Sequence, residues 1–269
     1  MGNRLENRVA VVTGSSSGNG RAIALALARE GAAVVCSDVK KSAREGGYEG
    51  DIQTDTDDVI RNEGGRAEYL DCDVTKASDV QAVIDRAVSA FGRLDIMVNN
   101  AGVFTDLHTI VDETEEQYDF TMAVNAKGVW LGCKFAIAQM LKQEDTGGGE
   151  TSRGKIINIA SIGGLVGLAA EPAYCASKGA VVNLTRQLAV DYAPERINVN
   201  AICPGFLATA MVRPFLDDPE LNKTLHDLSP WPHLGTAEDV GKLALYLASD
   251  DAEMVTGSMQ VLDGGYTAG

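Results

Sequence analysis

Short apolar runs alternate along this chain with longer segments in which apolar residues recur at helical spacing. The first run, residues 8–13, reads Arg-Val-Ala-Val-Val-Thr, and Ile23 and Leu27 then recur at the spacing of one helix face. Repetition of this unit predicts a parallel sheet whose strands are buried on both faces and covered by the connecting helices. The predicted strands lie near residues 8–13, 33–38, 66–71, 94–98, 154–160, 197–203 and 258–263, and the predicted helices near 18–30, 55–64, 76–91, 114–143, 172–192 and 236–249.

The connection between the first strand and the first helix is rich in glycine, reading Gly14-Ser-Ser-Ser-Gly18-Asn-Gly20. Glycines permit a tight turn, and they let a pyrophosphate approach the backbone and the positive end of the helix. A flexible polar loop is the alternative, but it does not account for the strand and helix directly on either side. The second strand ends at Asp38, where a carboxylate can accept both hydroxyls of an adenosine ribose. The pattern predicts a Rossmann-type, doubly wound α/β fold of seven strands with a dinucleotide site at Gly14, Ser16, Ser17, Gly18, Asn19, Gly20 and Asp38.

A second candidate site lies in the segment Tyr174-Cys175-Ala176-Ser177-Lys178. Tyr174 and Lys178 are four residues apart, so they face the same side of a helix. A phenol titrates at about pH 10, and a fixed ammonium group beside it lowers its pKa towards the range of a general base. Ser161 ends the strand predicted at 154–160 and can add a hydroxyl beside the phenol. Such pairs are common on helix surfaces, so the pair alone is weak support for catalysis.

The chain resembles the short-chain dehydrogenase/reductase family, in its short single-domain branch, over nearly its whole length. The shared landmarks occur in the family's order and at its spacings. The resemblance implies one dinucleotide-binding and catalytic domain over residues 1–269, with a variable substrate lid near 206–234. The landmarks are Thr13-Gly14-x-x-x-Gly18-x-Gly20, Cys72-Asp73-Val74, Asn99-Asn100-Ala101-Gly102, Asn125, Ser161, Tyr174-x-x-x-Lys178, Pro204-Gly205 with Thr209, and Asp263-Gly264-Gly265.

The resemblance implies hydride transfer between a secondary alcohol and a nicotinamide cofactor, with Tyr174 as the general acid/base. Ser161 would hydrogen-bond the substrate oxygen, and Lys178 would hold the nicotinamide ribose and lower the pKa of the phenol. Asn125 would hold a water that relays protons from the lysine to solvent. Without the resemblance, Asn125 is equally well explained as a helix-interior amide facing water. A non-catalytic dinucleotide-binding relative is the alternative from another class, but such proteins normally lose the tyrosine or the lysine.

Further residues are expected to contact the cofactor. Asn100 follows the apolar strand near 94–98 at the carboxyl edge of the sheet, where open α/β sheets bind ligands, and is expected nearest the adenosine ribose. Asp73 and Val74 should flank the adenine. The remaining residues that the resemblance assigns to the cofactor are Ala101, Gly102, Tyr174, Lys178, Pro204, Gly205, Leu207 and Thr209.

Charge favours NAD over NADP as the cofactor. The 2′-phosphate of NADP would lie against Asp38, one anion against another. NADP-preferring relatives usually place a basic residue at the positions of Ser17 or Val39. Because Lys40 and Lys41 are close in sequence, an NADPH-linked carbonyl reductase is the alternative. We expect NAD, with oxidation of the alcohol as the physiological direction.

Composition excludes several other classes of protein. Among 269 residues there are 38 Asp and Glu against 23 Lys and Arg, a formal net charge of −15, which argues against a nucleic-acid partner. No apolar run is long enough to span a bilayer, and the N-terminus lacks a signal-peptide core. The five cysteines show no paired spacing and the three histidines are scattered. We therefore expect a cytoplasmic protein with reduced thiols, no membrane contact and no metal site.

Two features concern the surface. The helices predicted at 114–143 and 172–192 are apolar on most sides, and the sheet can cover only one side of each. With the C-terminal segment 261–266, they indicate a homotetramer with two-fold symmetry, the usual assembly of the resembled family, or a dimer as the alternative.

Residues 40–57 and 143–153 form longer connections than that family usually has. The small-molecule substrate stays open between sugars or polyols, alicyclic alcohols, hydroxysteroids and β-hydroxyacyl compounds.

Overall fold

The computed structural model describes residues 3–144 and 151–269. Within them, seven parallel strands form one sheet in the order β3-β2-β1-β4-β5-β6-β9, and helices lie on both faces. The predicted seven-stranded doubly wound sheet is confirmed. The strands are β1 Val9–Thr13, β2 Ala33–Asp38, β3 Arg66–Asp71, β4 Ile96–Asn99, β5 Gly154–Ile159, β6 Ile197–Pro204, β7 Leu207–Ala208, β8 Gly235–Thr236 and β9 Met259–Leu262, with β7 and β8 paired separately. The helices are α1 Gly18–Arg29, α2 Thr56–Asn62, α3 Ala77–Phe91, α4 Glu115–Met122, α5 Val129–Lys142, α6 Pro172–Tyr192, α7 Arg213–Asp217, α8 Pro219–Leu228 and α9 Ala237–Ala248.

The core lies in two layers, one on each face of the sheet. Alternate residues of a strand point to opposite faces, so Val9 and Val11 pack into one layer and Ala10 and Val12 into the other. Helices α3, α5 and α6 cover the first layer, and α1 and α9 cover the second. Burial on both faces explains why the strands read as continuous apolar runs.

The order of the strands reverses between β1 and β4. The chain builds β2 and β3 on one side of β1, and then returns to place β4 on its other side. The connections that leave the carboxyl ends of β1 and β4 therefore diverge, and a crevice opens between them. In open α/β sheets this switch point is where ligands bind.

The helix predicted over 114–143 is present over residues 115–142, but its middle is not α-helical. A π-helical segment, Ala123–Gly128, separates α4 from α5. The wider turn of a π-helix shifts the face that each following residue presents, and it carries Asn125 into the interior, where the side chain is fully buried. Apolar periodicity could not indicate this change, because Ala123–Gly128 contains no residue type that distinguishes a π-helical turn from an α-helical one.

The structure describes all of the segment 206–234 and part of the connection at 143–153. The segment 206–234, predicted to be a substrate lid, contains β7, α7 and α8. The connection at 143–153 includes residues 145–150, which lie outside the described residues. No helix in the described ranges is both long and apolar enough to cross a membrane.

Candidate active site

A cleft of about 850 Å³ lies along the carboxyl edge of the sheet at the β1/β4 switch point. The glycine-rich turn, the ends of β2, β4 and β5, the start of α6 and the lid all contribute to its walls. All of the predicted site residues line this cleft except Gly20 and Asn125. The topology therefore brings together side chains that are far apart in the sequence.

The glycine-rich turn needs its glycines for two physical reasons. Gly14 and Gly18 have positive φ angles of 65° and 55°, which glycine adopts without strain. A Cβ on Gly20 would lie 2.0 Å from the carbonyl oxygen of Gly14, so Gly20 serves the close packing of turn against helix. The side-chain amide of Asn100 donates to the carbonyl oxygens of Thr13 (2.9 Å) and Gly14 (3.1 Å). Asn100, predicted nearest the ribose, thus supports the turn itself.

Thr13, named among the landmarks but not as a site residue, supports the site from behind the cleft. Its hydroxyl oxygen accepts hydrogen bonds from the backbone N–H groups of Asn100 (3.0 Å) and Ala101 (3.1 Å). The end of β1 and the segment after β4 are thereby held together on the two sides of the crevice. Its place directly before Gly14 was the available signal, but the hydroxyl's partners are not readable from the sequence.

An anion site lies at the start of α1, and the chain fills it with its own carboxylate. Glu49, from the long connection at 40–57, accepts a hydrogen bond from the backbone N–H of Gly18. The other Glu49 carboxylate oxygen and the amide oxygen of Asn19 are buried without hydrogen-bond partners. A carboxylate thus stands where a pyrophosphate would meet the positive end of the helix. Together with the glycine cradle, this donor set fits a dinucleotide.

Asp38 lies at the carboxyl end of β2, as predicted. One carboxylate oxygen accepts from the backbone N–H of Ser16 (3.1 Å) and the other from that of Val39 (2.8 Å). Burial raises the pKa of Asp38, and these backbone hydrogen bonds oppose the rise. The carboxylate lines the cleft beside the glycine-rich turn.

Lys41, one of the two basic residues that left NADP open, pairs with carboxylates of another segment. Its ammonium lies 3.6, 3.1 and 3.2 Å from carboxylate oxygens of Asp55, Asp57 and Asp58. Oxygens of these three carboxylates lie within 4.8 Å of one another, and Arg61 also pairs with Asp57 and Asp58. Two cations therefore already offset two of the three negative charges of the cluster, which carries no argument for a metal ion.

Tyr174, Lys178 and Ser161 meet at the middle of the cleft. The Lys178 ammonium donates to the carbonyl oxygen of Ile159 (2.9 Å) and lies 5.7 Å from the centroid of the Tyr174 ring. Burial lowers the pKa of Lys178 to about 8. Burial raises the pKa of Tyr174 to about 12, and a hydrogen bond with Ser161 opposes the rise. The expected lowering of the phenol pKa is therefore not met in the protein alone, because burial outweighs the neighbouring groups.

Asn125 lies behind the cleft rather than in it. Its amide oxygen accepts from the backbone N–H of Val103 (2.8 Å), and its amide nitrogen donates to the Val103 carbonyl (2.9 Å) and to the Ser177 hydroxyl (3.2 Å). That hydroxyl donates in turn to the carbonyl oxygen of Tyr174 (2.8 Å). Asn125 thus ties the segment after β4 to the helix that carries the tyrosine. The alternative of an amide facing water is wrong, since the side chain is fully buried.

Beyond the phenol, the cleft is mainly apolar. The Phe104 ring lies 5.7 Å from the Tyr174 ring and 5.9 Å from the Phe215 ring of the lid, centroid to centroid. Glu171 also lines this end, and no sequence pattern had indicated it as a site residue. The other apolar side chains here are Val103, Phe120, Ile162, Leu168, Met211 and Val212.

Known proteins share this architecture over nearly the whole chain. Residues 14–267 match a family described as Enoyl-(Acyl carrier protein) reductase. The chain is 39% identical over 264 residues to 2-(R)-hydroxypropyl-CoM dehydrogenase of Xanthobacter autotrophicus, covering 97% of this chain and 99% of that protein. It is 37% identical over 265 residues to cyclopentanol dehydrogenase of a Comamonas species, covering 98% and 99%.

Solved structures agree with these sequence matches. A short-chain type dehydrogenase/reductase from Mycobacterium marinum superposes with a TM-score of 0.86 at 34% identity, covering 98% of this chain and 97% of that one. A structure from Agrobacterium tumefaciens with bound NADP superposes with a TM-score of 0.84 at 32% identity, covering 98% of both chains.

Proposed function

Because the chain belongs to the short-chain dehydrogenase/reductase family of NAD(P)-dependent oxidoreductases, we propose that it interconverts a secondary alcohol and a ketone with NAD. Tyr174 acts as the general acid/base. The observation that carries this proposal is the meeting of Ser161, Tyr174 and Lys178 in the cleft, beside the dinucleotide cradle. The names of the two similar dehydrogenases, one acting on a 2-hydroxypropyl compound and one on cyclopentanol, support a secondary alcohol as substrate.

The chain's own residues divide the work of the reaction. NAD held in the cleft by the glycine-rich turn, Asp38 and Lys178 would supply the hydride acceptor for the carbinol carbon. Tyr174 takes the hydroxyl proton during oxidation and returns it during reduction. Ser161 donates a hydrogen bond to the substrate oxygen and stabilises the negative charge that develops there. Lys178 holds the nicotinamide ribose, and its ammonium favours the phenolate form of the tyrosine.

The charges around Tyr174 support a mechanism in which the phenol becomes a base only after the cofactor binds. In the protein alone, burial holds the pKa of Tyr174 at about 12, so the phenol is protonated and inert as a base. Lys178, whose pKa is about 8, is mostly protonated at neutral pH and lies beside the ring. The positive charge of a bound oxidised nicotinamide, added to that of Lys178, would lower the pKa of the phenol.

Asp38 supports NAD over NADP. Two unit charges about 5 Å apart repel each other by about 3 kcal/mol at the effective dielectric constant of a protein surface, and a 2′-phosphate would meet this cost against the carboxylate. Lys41 cannot offset it while it is bound to the cluster at 55–58. Lys40 lines the cleft and favours the second candidate, an NADPH-linked carbonyl reductase, as does the NADP in the similar structure.

We also propose a homotetramer. Large apolar side chains are exposed on the elements that the sequence assigned to assembly: Phe120 on α4, Trp130 on α5, Val190 on α6 and Val261 on β9. Val190 is 76% exposed. Burial of these side chains against other copies of the chain would be favourable.

The test is a panel of secondary alcohols and ketones, each with NAD(H) and NADP(H), followed by the absorbance of the reduced cofactor. Replacement of Tyr174 by Phe is expected to lower kcat by at least about 10²–10⁴-fold, because the proton acceptor is lost. NAD binding by calorimetry should change little, since the cradle is intact. Tyr192→Phe, at the far end of α6, is the matched control. Substantial turnover by the Tyr174 variant would refute the assignment.

A further inference from the structure

Glu171 is a half-buried carboxylate that the reaction described above does not use. It lies directly before α6, yet its side chain makes no capping hydrogen bond to that helix. Glu113 fills that role instead, because its carboxylate accepts from the backbone N–H of Ala173 (3.2 Å). Among the described residues Glu171 has no ion-pair partner, and burial alone raises its pKa to about 7. The common reason for an acidic residue at a helix start, capping, is therefore already met by another side chain.

Besides Lys178, Glu171 is the charged residue that lines the cleft near Tyr174, among the residues that the structure describes. It lies three residues before Tyr174, and its charge raises the pKa of that phenol. The neighbouring wall is formed by apolar side chains such as Leu168 and Phe104. The other charged residues that line the cleft, apart from Lys178, follow β2 and β3 at the cofactor end: Asp38, Lys40, Arg44, Glu45 and Asp73.

Resting on the proposed function, we propose that Glu171 determines the substrate by accepting a hydrogen bond from a second hydroxyl group. The substrate class is a vicinal diol on an otherwise apolar frame. Glu171 is the N-cap residue of the helix that carries Tyr174, and both side chains line the same cleft. A carboxylate beside the phenol in this cleft can reach a hydroxyl on the carbon next to the carbinol carbon.

The same carboxylate selects against two other kinds of substrate. A simple alcohol that fills the pocket displaces water from this half-buried carboxylate and offers it no hydrogen bond in return, and an acceptor left without a partner is costly. A substrate with an anionic group near the carbinol carbon meets direct repulsion. A polyhydroxylated sugar would leave most of its hydroxyls against apolar side chains. The diol with one extra hydroxyl fits both the carboxylate and the wall.

The first experiment compares cyclohexane-1,2-diol with cyclohexanol as substrates with NAD. In the wild type, kcat/KM for the diol is expected to exceed that for cyclohexanol by about 10- to 100-fold, the range of a hydrogen bond to a charged group. Glu171→Leu should bring the ratio of the two kcat/KM values close to one, and Glu171→Gln should lower it in part. Glu113→Gln, at the same helix end but outside the cleft, is the control and should keep the ratio. An unchanged ratio in the Glu171 variants would overturn the proposal.

A second experiment measures binding without turnover, so that failure of the proposed function remains distinguishable. Tyr174→Phe loaded with NAD is titrated with both alcohols by calorimetry. The diol is expected to bind about 10-fold or more tightly than cyclohexanol, and the double variant Tyr174→Phe/Glu171→Leu should lose this preference. If the wild type oxidises neither alcohol, the proposed function is wrong for these substrates. Equal affinity for the two alcohols in both variants would refute the role of Glu171.

Discussion

Replacement of Asn125 by Ala separates two roles that one residue can have. The structure gives this side chain two hydrogen bonds to the backbone of Val103 and one to Ser177, whereas the family resemblance gives it a water in a proton relay. A purely relaying residue would affect kcat and leave stability unchanged. A residue that holds Val103 against α6 must affect both.

The expected loss of stability follows from the groups left without partners. Each unsatisfied buried donor or acceptor costs about 1–3 kcal/mol. Because Val103 is only partly buried, water can satisfy some of the loss, and we expect about 2–4 kcal/mol in total for its N–H and C=O groups. For a chain of this size, about 2–4 °C of melting temperature corresponds to each kcal/mol, so the midpoint should fall by about 4–16 °C.

The assay is thermal unfolding at one fixed protein concentration, with kcat measured on the same samples. Gln139→Ala on α5 is the matched control, because that amide makes a single contact of 3.5 Å, and it should change stability by about 0.5 kcal/mol or less. An Asn125→Ala protein with a wild-type melting temperature and a low kcat would refute the positioning role. Loss of both would support it.

Three further predictions concern the cofactor and the assembly. Asp38→Ala should raise the Michaelis constant for NAD and reduce the difference in affinity between NAD and NADP. Direct titration of the wild type that showed tighter binding of NADP than of NAD would contradict this reasoning. Glu49→Gln should tighten NAD by about 3- to 10-fold, since the charged carboxylate competes for the Gly18 N–H, while adenosine binding stays the same. Glu6→Gln, an exposed carboxylate that does not line the cleft, is its control, and weaker NAD binding by the Glu49 variant would show that the carboxylate supports the cofactor instead. Light scattering at micromolar concentration should return four times the 28.4 kDa chain mass, and a monomer mass would exclude the tetramer.

The parts of the fold that depend on local pattern could be predicted from the sequence. The strand at Val9–Thr13 and the helix at Gly18–Arg29 agree with their predicted bounds to within one residue. A strand buried on both faces must be apolar throughout, and a helix on a sheet must be apolar along one side. The apolar run of a strand and the apolar side of a helix can therefore both be recognised within a short stretch of sequence. The same holds for the glycines, because a positive φ at Gly14 and Gly18 restricts the residue type at those positions.

Other features depend on partners that are distant in the chain. Asn125 turns inward because a π-helical segment interrupts the predicted helix, and its partner Val103 is 22 residues away. Glu49 reaches Gly18 across 31 residues. Nothing local distinguishes either side chain from an exposed amide or carboxylate, so periodicity assigned them to solvent or left their roles open.

The sequence by itself determined the order of strands and helices, the dinucleotide turn and the identity of Ser161, Tyr174 and Lys178 as a group, because spacing and residue type carry that information. Only the tertiary structure decided the electrostatic state of the group. Burial raises the pKa of Tyr174 and lowers that of Lys178, and burial depends on what the lid and the neighbouring strands place around a side chain. It also decided that Glu171 is free to bind while Lys41 is not. A charge is available to a ligand only when no other part of the folded chain has already neutralised it.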